Sequence, residues 1–306
     1  MYPLWKLPAI RIAPDTIFNI GSFPVTNTLL CTWITIVILV VLFFLATRNQ
    51  KLIPSGLQNL VEWAVELLLG LVESVAGKIK GKKFFPLVAT FFIFILFANL
   101  LDVFPGVDTV GTISTAAAKS HAVLGFLLFG QYSNDIIPWI RPATSDLNLT
   151  LAMALISVIT TQIFGFYALG WKVHLSKYFN FKAFVVNKRF NPMGIIDFFV
   201  GILELVTEAA RILSFSFRLF GNIFAGSAVL AVFAFLLPFL ADVIFIPLEL
   251  FVAFIQAFIF AILTLVFMQI ATSSHEPHAE SEHEALEEYR HEEARKEELV
   301  GAGPTR

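Results

Sequence analysis

The sequence has few charged residues and a single cysteine. Only 14% of its 306 residues are charged, whereas about 25% is usual for a soluble globular domain. Cys31 cannot form an intrachain disulfide, and its place in an apolar run favours a small packing residue over a reactive thiol. The sequence also has no Gly-rich phosphate loop, catalytic triad or paired-cysteine motif. These absences argue against a soluble domain, a disulfide-stabilised domain and a nucleotide-binding enzyme.

Long hydrophobic runs dominate the chain instead. Hydrophobic residues make up 57% of the sequence, and 34 of them are phenylalanine. A helix needs roughly 20 residues to cross a hydrocarbon core about 30 Å thick. We therefore predict an all-α membrane protein in which residues 1–272 form one membrane domain. About five predicted transmembrane helices cover residues 28–46, 84–104, 149–170, 193–237 and 239–270.

Basic residues indicate the orientation of these helices. Arg48 and Lys51 follow the first helix, four lysines precede the second, and further lysines from Lys172 onward follow the third. Basic residues concentrate in cytoplasmic loops, so we predict an external N-terminus and a charged cytoplasmic tail over residues 273–306. The first apolar run is longer than that of a signal peptide, so it is expected to remain as an anchor.

Two segments between the helices have distinct patterns. Residues 57–79 place apolar residues at helical spacing with Glu62, Glu66 and Glu73 among them, which predicts an amphipathic helix at the cytoplasmic interface. Residues 105–147 are predicted to form an irregular external segment. Its apolar stretch over 122–129 is too short to cross the membrane.

The apolar stretch at residues 193–237 is unusually long. As one helix it would extend for about 67 Å, roughly twice the thickness of a membrane. Two ordinary spans would need a turn at Ser214–Arg218 or Gly221–Asn222, and neither segment has the composition of a loop. We therefore predict one strongly tilted helix that pairs with the next helix across Pro238.

Ionisable residues inside membrane helices are costly, so each is a candidate for function. At 100° per residue, five polar side chains of the long helix share one narrow stripe: Glu204, Glu208, Arg211, Arg218 and Asn222. For Arg211, a structural salt-bridge ladder with Glu208 or Glu204 is as well supported by the sequence as a functional role. Arg218 differs, because no acidic residue lies within four positions on either side. We expect another subunit to supply the carboxylate for this permanent charge.

Folding the chain back at Pro238 estimates which residues lie at equal depth. Arg218 falls opposite Gln256–Phe258, and Ser227 falls opposite Glu249. Gln256 can hydrogen-bond a guanidinium but cannot neutralise it. Glu249 then lies on the external side of Arg218, while Glu204 and Glu208 lie on the cytoplasmic side. This arrangement predicts two half-channels in which carboxylates relay protons and the arginine prevents direct leakage between them.

The segment Ser214–Gly226, with sequence SFSFRLFGNIFAG, is similar to the signature of subunit a of the F-type ATP synthase. The resemblance covers residues 57–272 and includes the stretch 255–264, Asn99–Asp102 with Pro105, and Asp146–Thr150. It implies a non-catalytic stator subunit in a bacterial plasma membrane. Its partners would be a ring of c subunits and the b subunits of the peripheral stalk.

The resemblance also implies roles for individual residues. Arg218 would face the carboxylate of each passing c subunit, and Gln256 would lie beside it. Glu249 would act in the external half-channel and Glu204 in the cytoplasmic one. Ser227 and Glu249 occupy the positions at which the enterobacterial form has Glu and His. Four further polar residues are candidates for a channel entrance: Asn99, Asp102, Asp146 and Asn148.

Two other classes of membrane protein compete with this interpretation. An independent proton-coupled secondary transporter would often contain inverted repeats, and the two halves of this sequence show no similarity. An intramembrane enzyme would need paired catalytic groups within its helices, but His121 and His174 lie in predicted loops. The histidines of the tail match no metal-site spacing, and we predict no cofactor, no metal site and no nucleic-acid partner. The sequence leaves proton and sodium open as the transported ion.

Overall fold

A computed structural model describes residues 13–103, 111–113, 136–170, 174, 185–186, 189–190, 193–236 and 240–273. Within these ranges, five helices are long and apolar enough to cross a membrane, which confirms the predicted all-α membrane fold. They are α1 (Asn27–Thr47), α2 (Leu57–Asp102), α3 (Leu147–Leu169), α4 (Met193–Leu236) and α5 (Leu240–Thr272). The predicted apolar stretch at 122–129 and the tail beyond Ser273 lie outside the described residues.

A β-hairpin that the sequence analysis missed precedes α1. Strand β1 (Thr16–Ile20) pairs antiparallel with β2 (Phe23–Thr26), and Gly21 in the connecting turn has a φ of 62°. Thr26 then begins α1, because its side chain accepts a hydrogen bond from the backbone N–H of Leu29. The hairpin therefore leads directly into the first membrane helix.

Helix α2 consists of two arms that meet at Gly77. The backbone of Gly77 has φ 74° and ψ 162°, a conformation that is essentially restricted to glycine. The second arm begins before the predicted boundary at residue 84, since the lysines at 78–83 continue the helix and only Gly77 leaves helical geometry. The first arm folds back closely: a Cβ on Gly81 would lie 3.1 Å from Cα of Glu73.

Helix α4 is one continuous helix of 44 residues, about 66 Å long. It runs without a break through 214–218 and 221–222, the two segments where a turn between ordinary spans would have to lie. Helix α5 follows after residues 237–239, which lie outside the described ranges. The single long helix predicted from the sequence is therefore present.

The apolar core lies where the second arm of α2 packs against α5, α3 and α4. Phe84, Ile95, Leu219, Phe260 and Leu265 are almost fully buried in it. Two hydroxyl pairs cross this core. Ser157 and Thr264 lie 2.9 Å apart, and Thr150 and Ser216 lie 3.2 Å apart. Such contacts join helices that the hydrophobic effect cannot hold together within lipid.

Short elements lie between α2 and α3 and contact the helices around them. Strand β3 (Gly111–Ile113) pairs antiparallel with β4 (Ile136–Pro138), and a 3₁₀ turn follows at Ala143–Ser145. Within that turn, the Thr144 hydroxyl donates to Asn99 Oδ1 over 2.7 Å in a buried site on α2. The described parts of the segment 105–147, which was predicted to be irregular, thus include two short strands and a 3₁₀ turn.

His174, which follows α3 in the sequence, is buried against that helix. His174 is 2% exposed, and its Nε2 lies 2.7 Å from Oε1 of Gln162 on α3. Its ring also lies against the Phe166 ring, at 4.4 Å between centroids. The tertiary structure buries this histidine because α3 presents a polar and an aromatic partner one turn apart.

Candidate ion pathway

Arg218 lies at the edge between the buried and the exposed faces of α4. Its neighbours Phe215 and Leu219 are 2% and 0% exposed, whereas Phe217 is 53% exposed. The Arg218 guanidinium carbon lies 5.9 Å from the centroid of the Phe215 ring. In the ranges that the structure describes, no carboxylate forms an ion pair with Arg218. A permanent positive charge therefore lies at the protein surface, within the apolar length of a membrane helix.

Asn222 and Gln256 join α4 to α5 one turn beyond Arg218. The Asn222 side-chain amide donates to Oε1 of Gln256 over 3.4 Å. Gln256 is 5% exposed, and its own side-chain nitrogen has no hydrogen-bond partner within the described residues. The depth count placed Gln256 opposite Arg218 instead of Asn222. Asn222 lies four residues, or about one helical turn, further along α4 than Arg218.

A cavity of about 230 Å³ lies beside Asn222, on the side away from Arg218. Three helices supply its polar lining: α2 with Asn99 and Asp102, α4 with Asn222, and α5 with Glu249. The remaining lining is mainly apolar. Two carboxylates and two amides from separate parts of the sequence thus share one cavity, which ends within one helical turn of Arg218.

Gly226 gives Glu249 its place in this cavity. A Cβ on Gly226 would lie 3.3 Å from Oε1 of Glu249, closer than ordinary van der Waals contact. Gly226 is the last residue of the motif Ser214–Gly226, and no role was predicted for it from the sequence. The signal that could have identified it was the presence of a residue without a side chain at the depth of Glu249.

Three of the predicted residues make hydrogen bonds within their own helices or to α1. The Ser227 hydroxyl donates to the backbone carbonyl of Ile223 over 2.9 Å, and Ser227 is absent from the cavity lining. Asp146 caps α3 by accepting from the Asn148 backbone N–H over 2.9 Å, and it also accepts from the Thr28 hydroxyl over 3.0 Å. Neither Asp146 nor Asn148 lines the cavity.

On the other side of Arg218, Glu208 and Arg211 form an ion pair. Nη1 of Arg211 lies 2.9 Å from Oε2 and 3.0 Å from Oε1 of Glu208. The Arg211 guanidinium also lies 3.8 Å from the centroid of the Phe267 ring on α5. Of the two predicted partners of Arg211, Glu208 is the one with which it forms an ion pair. Glu204 lies one turn away and is half-buried.

Comparison with known proteins identifies this arrangement of helices. The ATP synthase A chain family matches residues 29–269. The chain belongs to this family. It is 31% identical over 258 residues to ATP synthase subunit a of Moorella thermoacetica, a match that covers 84% of this chain and 96% of that protein. It is also 31% identical over 275 residues to ATP synthase subunit a of Desulforamulus reducens, which covers 86% of each chain.

A third relative is also similar in sequence to the chain over most of its length. ATP synthase subunit a of Gloeobacter violaceus is 28% identical over 273 residues, which covers 89% of this chain and 94% of that protein. The family match includes every candidate residue from Asn99 to Gln256 and leaves out residues 1–28 and the charged tail. The resemblance found in the sequence is therefore confirmed, and the chain is a multi-pass membrane protein of the subunit a family.

Proposed function

We propose that the chain is the proton-translocating stator subunit of an F-type ATP synthase and catalyses no covalent step itself. The observation that carries this proposal is Arg218, which has no ion-pair partner among the described residues and lies on a partly exposed face of α4. An unpaired arginine within an apolar helix is costly. A carboxylate on each c subunit of a rotating ring would pair with it transiently, so that the charge is neutralised only when a ring subunit is in place.

The external half-channel is proposed to pass through the cavity that holds Asn99, Asp102 and Glu249. Protons would reach Glu249 from the external side and then pass to the ring carboxylate near Asn222. Asn222 and Gln256, which are hydrogen-bonded to each other, would keep the end of this path polar beside Arg218. Ser227, Asp146 and Asn148 are proposed to act indirectly, because their hydrogen bonds shape the helix and the external ends around the cavity.

The cytoplasmic half-channel is proposed to lead to Glu204. Glu208 lies on the same stripe, but its carboxylate is engaged by Arg211, so Glu208 would orient the path more than it would carry protons. Arg218 lies between the two half-channels. Its fixed charge would repel a proton that moved directly from Glu249 to Glu204, so that protons cross only on the ring.

The orientation and partners follow from the same proposal. The N-terminus would be external, the tail after residue 273 would be cytoplasmic, and the membrane would be a bacterial plasma membrane. Helices α4 and α5 would lie strongly tilted around the c-ring, the first arm of α2 would lie at the cytoplasmic interface, and b subunits of the peripheral stalk would hold the chain stationary. An independent secondary transporter would need its own counter-ion for Arg218, and the described residues contain none.

Replacement of Arg218 by Ala tests the proposal in the assembled complex. In inverted membrane vesicles, we expect Arg218→Ala to abolish ATP-driven proton pumping while the complex still assembles. Arg48→Ala, which removes an exposed positive charge outside the stripe, should pump normally. Normal coupled pumping in Arg218→Ala would refute the proposed role, and sodium-dependent pumping in the wild type would identify a different ion.

A further inference from the structure

An open groove runs between α1 and the second arm of α2, away from the ion pathway. Its volume is about 530 Å³. The lining is almost entirely apolar, and Val65 from the first arm of α2 also contributes to it. The main contributors along its length are Ile36, Val40 and Phe43 of α1 and Pro86, Ala89 and Phe94 of α2.

The described part of the chain does not cover this groove. Val40 is 63% exposed and Ile36 is 46% exposed. An open apolar groove on the outside of a membrane protein is filled by hydrocarbon, which comes either from a lipid chain or from an apolar helix of another protein. The surroundings of the groove distinguish these two occupants.

Two lysines lie at one end of the groove. Lys82 and Lys83 are exposed and precede Pro86 by four and three residues. At 100° per residue they lie about 40° and 60° to either side of Pro86, so together they bracket the face of α2 that lines the groove. Basic side chains between membrane helices bind the head groups of anionic lipids. The groove therefore has a positive end and an apolar body, as an anionic phospholipid requires.

The length of the groove also favours a lipid. The lining residues of the second arm of α2 extend from Phe85 to Phe94, over which the helix rises about 14 Å, roughly half of a hydrocarbon core about 30 Å thick. An acyl chain extends over one leaflet, whereas a transmembrane helix would need an apolar track across both. The groove matches the depth of a single leaflet.

We propose that this groove is a binding site for one anionic diacyl phospholipid. Its phosphate contacts Lys82 and Lys83, and one of its acyl chains lies between α1 and the second arm of α2. Because Val65 lines the same groove, the lipid also contacts the first arm and so joins the three helical segments around the bend at Gly77. The site is independent of the proposed proton pathway, which uses none of these residues.

The test is lipid retention by the assembled complex. The complex is purified from membranes in mild detergent, and the anionic phospholipid that remains bound is quantified by mass spectrometry. We expect Lys82→Gln with Lys83→Gln to lower the lipid retained at this site on the order of tenfold. The matched control, Arg48→Gln with Lys51→Gln, removes the same charge from exposed residues and should retain the wild-type amount, because Arg48 lies about 130° from the centre of the groove-lining face of α1 and Lys51 lies beyond the end of that helix. Equal retention in the two double variants would overturn the proposal.

A photo-crosslinking amino acid in place of Val40 identifies the occupant directly. We expect an adduct with the mass of one phospholipid, and its loss in Thr90→Trp, which fills the groove from an exposed lining position without changing its charge. This second variant remains informative if the double lysine variant fails to assemble. An adduct of polypeptide mass would overturn the proposal, since the occupant would then be a helix of another subunit.

Discussion

Gly226 on α4 and Glu249 on α5 lie so close that a Cβ on the glycine would be 3.3 Å from the carboxylate oxygen. The two residues are separated by the turn between the helices, yet one determines the space of the other.

The first prediction concerns the space beside Glu249. Gly226→Ala should displace the Glu249 carboxylate and slow ATP-driven proton pumping, because the cavity lining has to rearrange around the new methyl group. The double variant Gly226→Ala with Glu249→Asp should pump faster than Gly226→Ala alone, since the aspartate is one methylene shorter. If the double variant is slower than both single variants, steric displacement is not the cause.

The second prediction concerns the charge of Glu249. Glu249→Gln keeps the size and polarity of the side chain but removes its ability to carry a proton, so pumping should fall by about 10²-fold or more. Glu249→Asp should retain part of the activity. The measurement is the initial rate of acidification in inverted vesicles, normalised to the amount of assembled complex. A Gln variant as active as the wild type would exclude Glu249 from the proton path.

The third prediction concerns the ion pair of Glu208 and Arg211. Both side chains are 14% exposed, so Arg211→Gln should leave an uncompensated carboxylate and destabilise the subunit by about 3–5 kcal/mol. Glu208→Gln with Arg211→Gln should recover much of that loss. Thermal stability of the detergent-solubilised complex reports this effect.

The same double variant also separates a structural role from a relay role. We expect Glu208→Gln with Arg211→Gln to pump protons at a substantial fraction of the wild-type rate, because Glu204 remains in the proposed path. A double variant that assembles as stably as the wild type but does not pump would make Glu208 an obligatory proton carrier.

The fourth prediction concerns the bend in α2. Gly77 has φ 74° and ψ 162°, and a side chain in this region costs about 1–3 kcal/mol. Gly77→Ala should therefore lower the thermal stability of the subunit, although nothing lies within 4 Å of the added Cβ. Gly70→Ala in the first arm is the control. It has ordinary helical geometry and equal free space, so it should be neutral or stabilising. Equal effects of the two changes would contradict a conformational cause.

Much of the fold could be predicted because its signals are local. Hydrophobic length identified the five spans, and the absence of a loop composition near Ser214–Arg218 identified the single long α4. The lack of an acidic partner for Arg218 on its own helix could also be predicted, because helix geometry determines which residues of one helix can reach it. The β-hairpin at Thr16–Thr26 was missed because its strands are short and it lies beside a much stronger helical signal.

The candidate site could be predicted only in part, because its contacts join residues of different helices. The count across Pro238 brought Glu249 close to its observed level but placed Gln256 one turn from its actual partner, Asn222. A small difference in crossing or bending of two helices changes which side chains meet, and a single sequence contains no measure of it. The choice of Glu208 as the partner of Arg211 depended on rotamers and on Phe267 of another helix.

The sequence by itself thus determined that the chain is a membrane protein with five long helices and a stripe of charge that ends at an arginine without a partner on its own helix. Those properties depend on hydrophobic length and on the 100° step of a helix, which no packing changes. Only the tertiary structure decided that Asn99 and Asp102 share a cavity with Glu249, that Asp146 caps α3, and that Gly226 leaves room for a carboxylate. These relationships depend on how each helix is rotated and shifted against its neighbours, and close packing of side chains across the interfaces sets both.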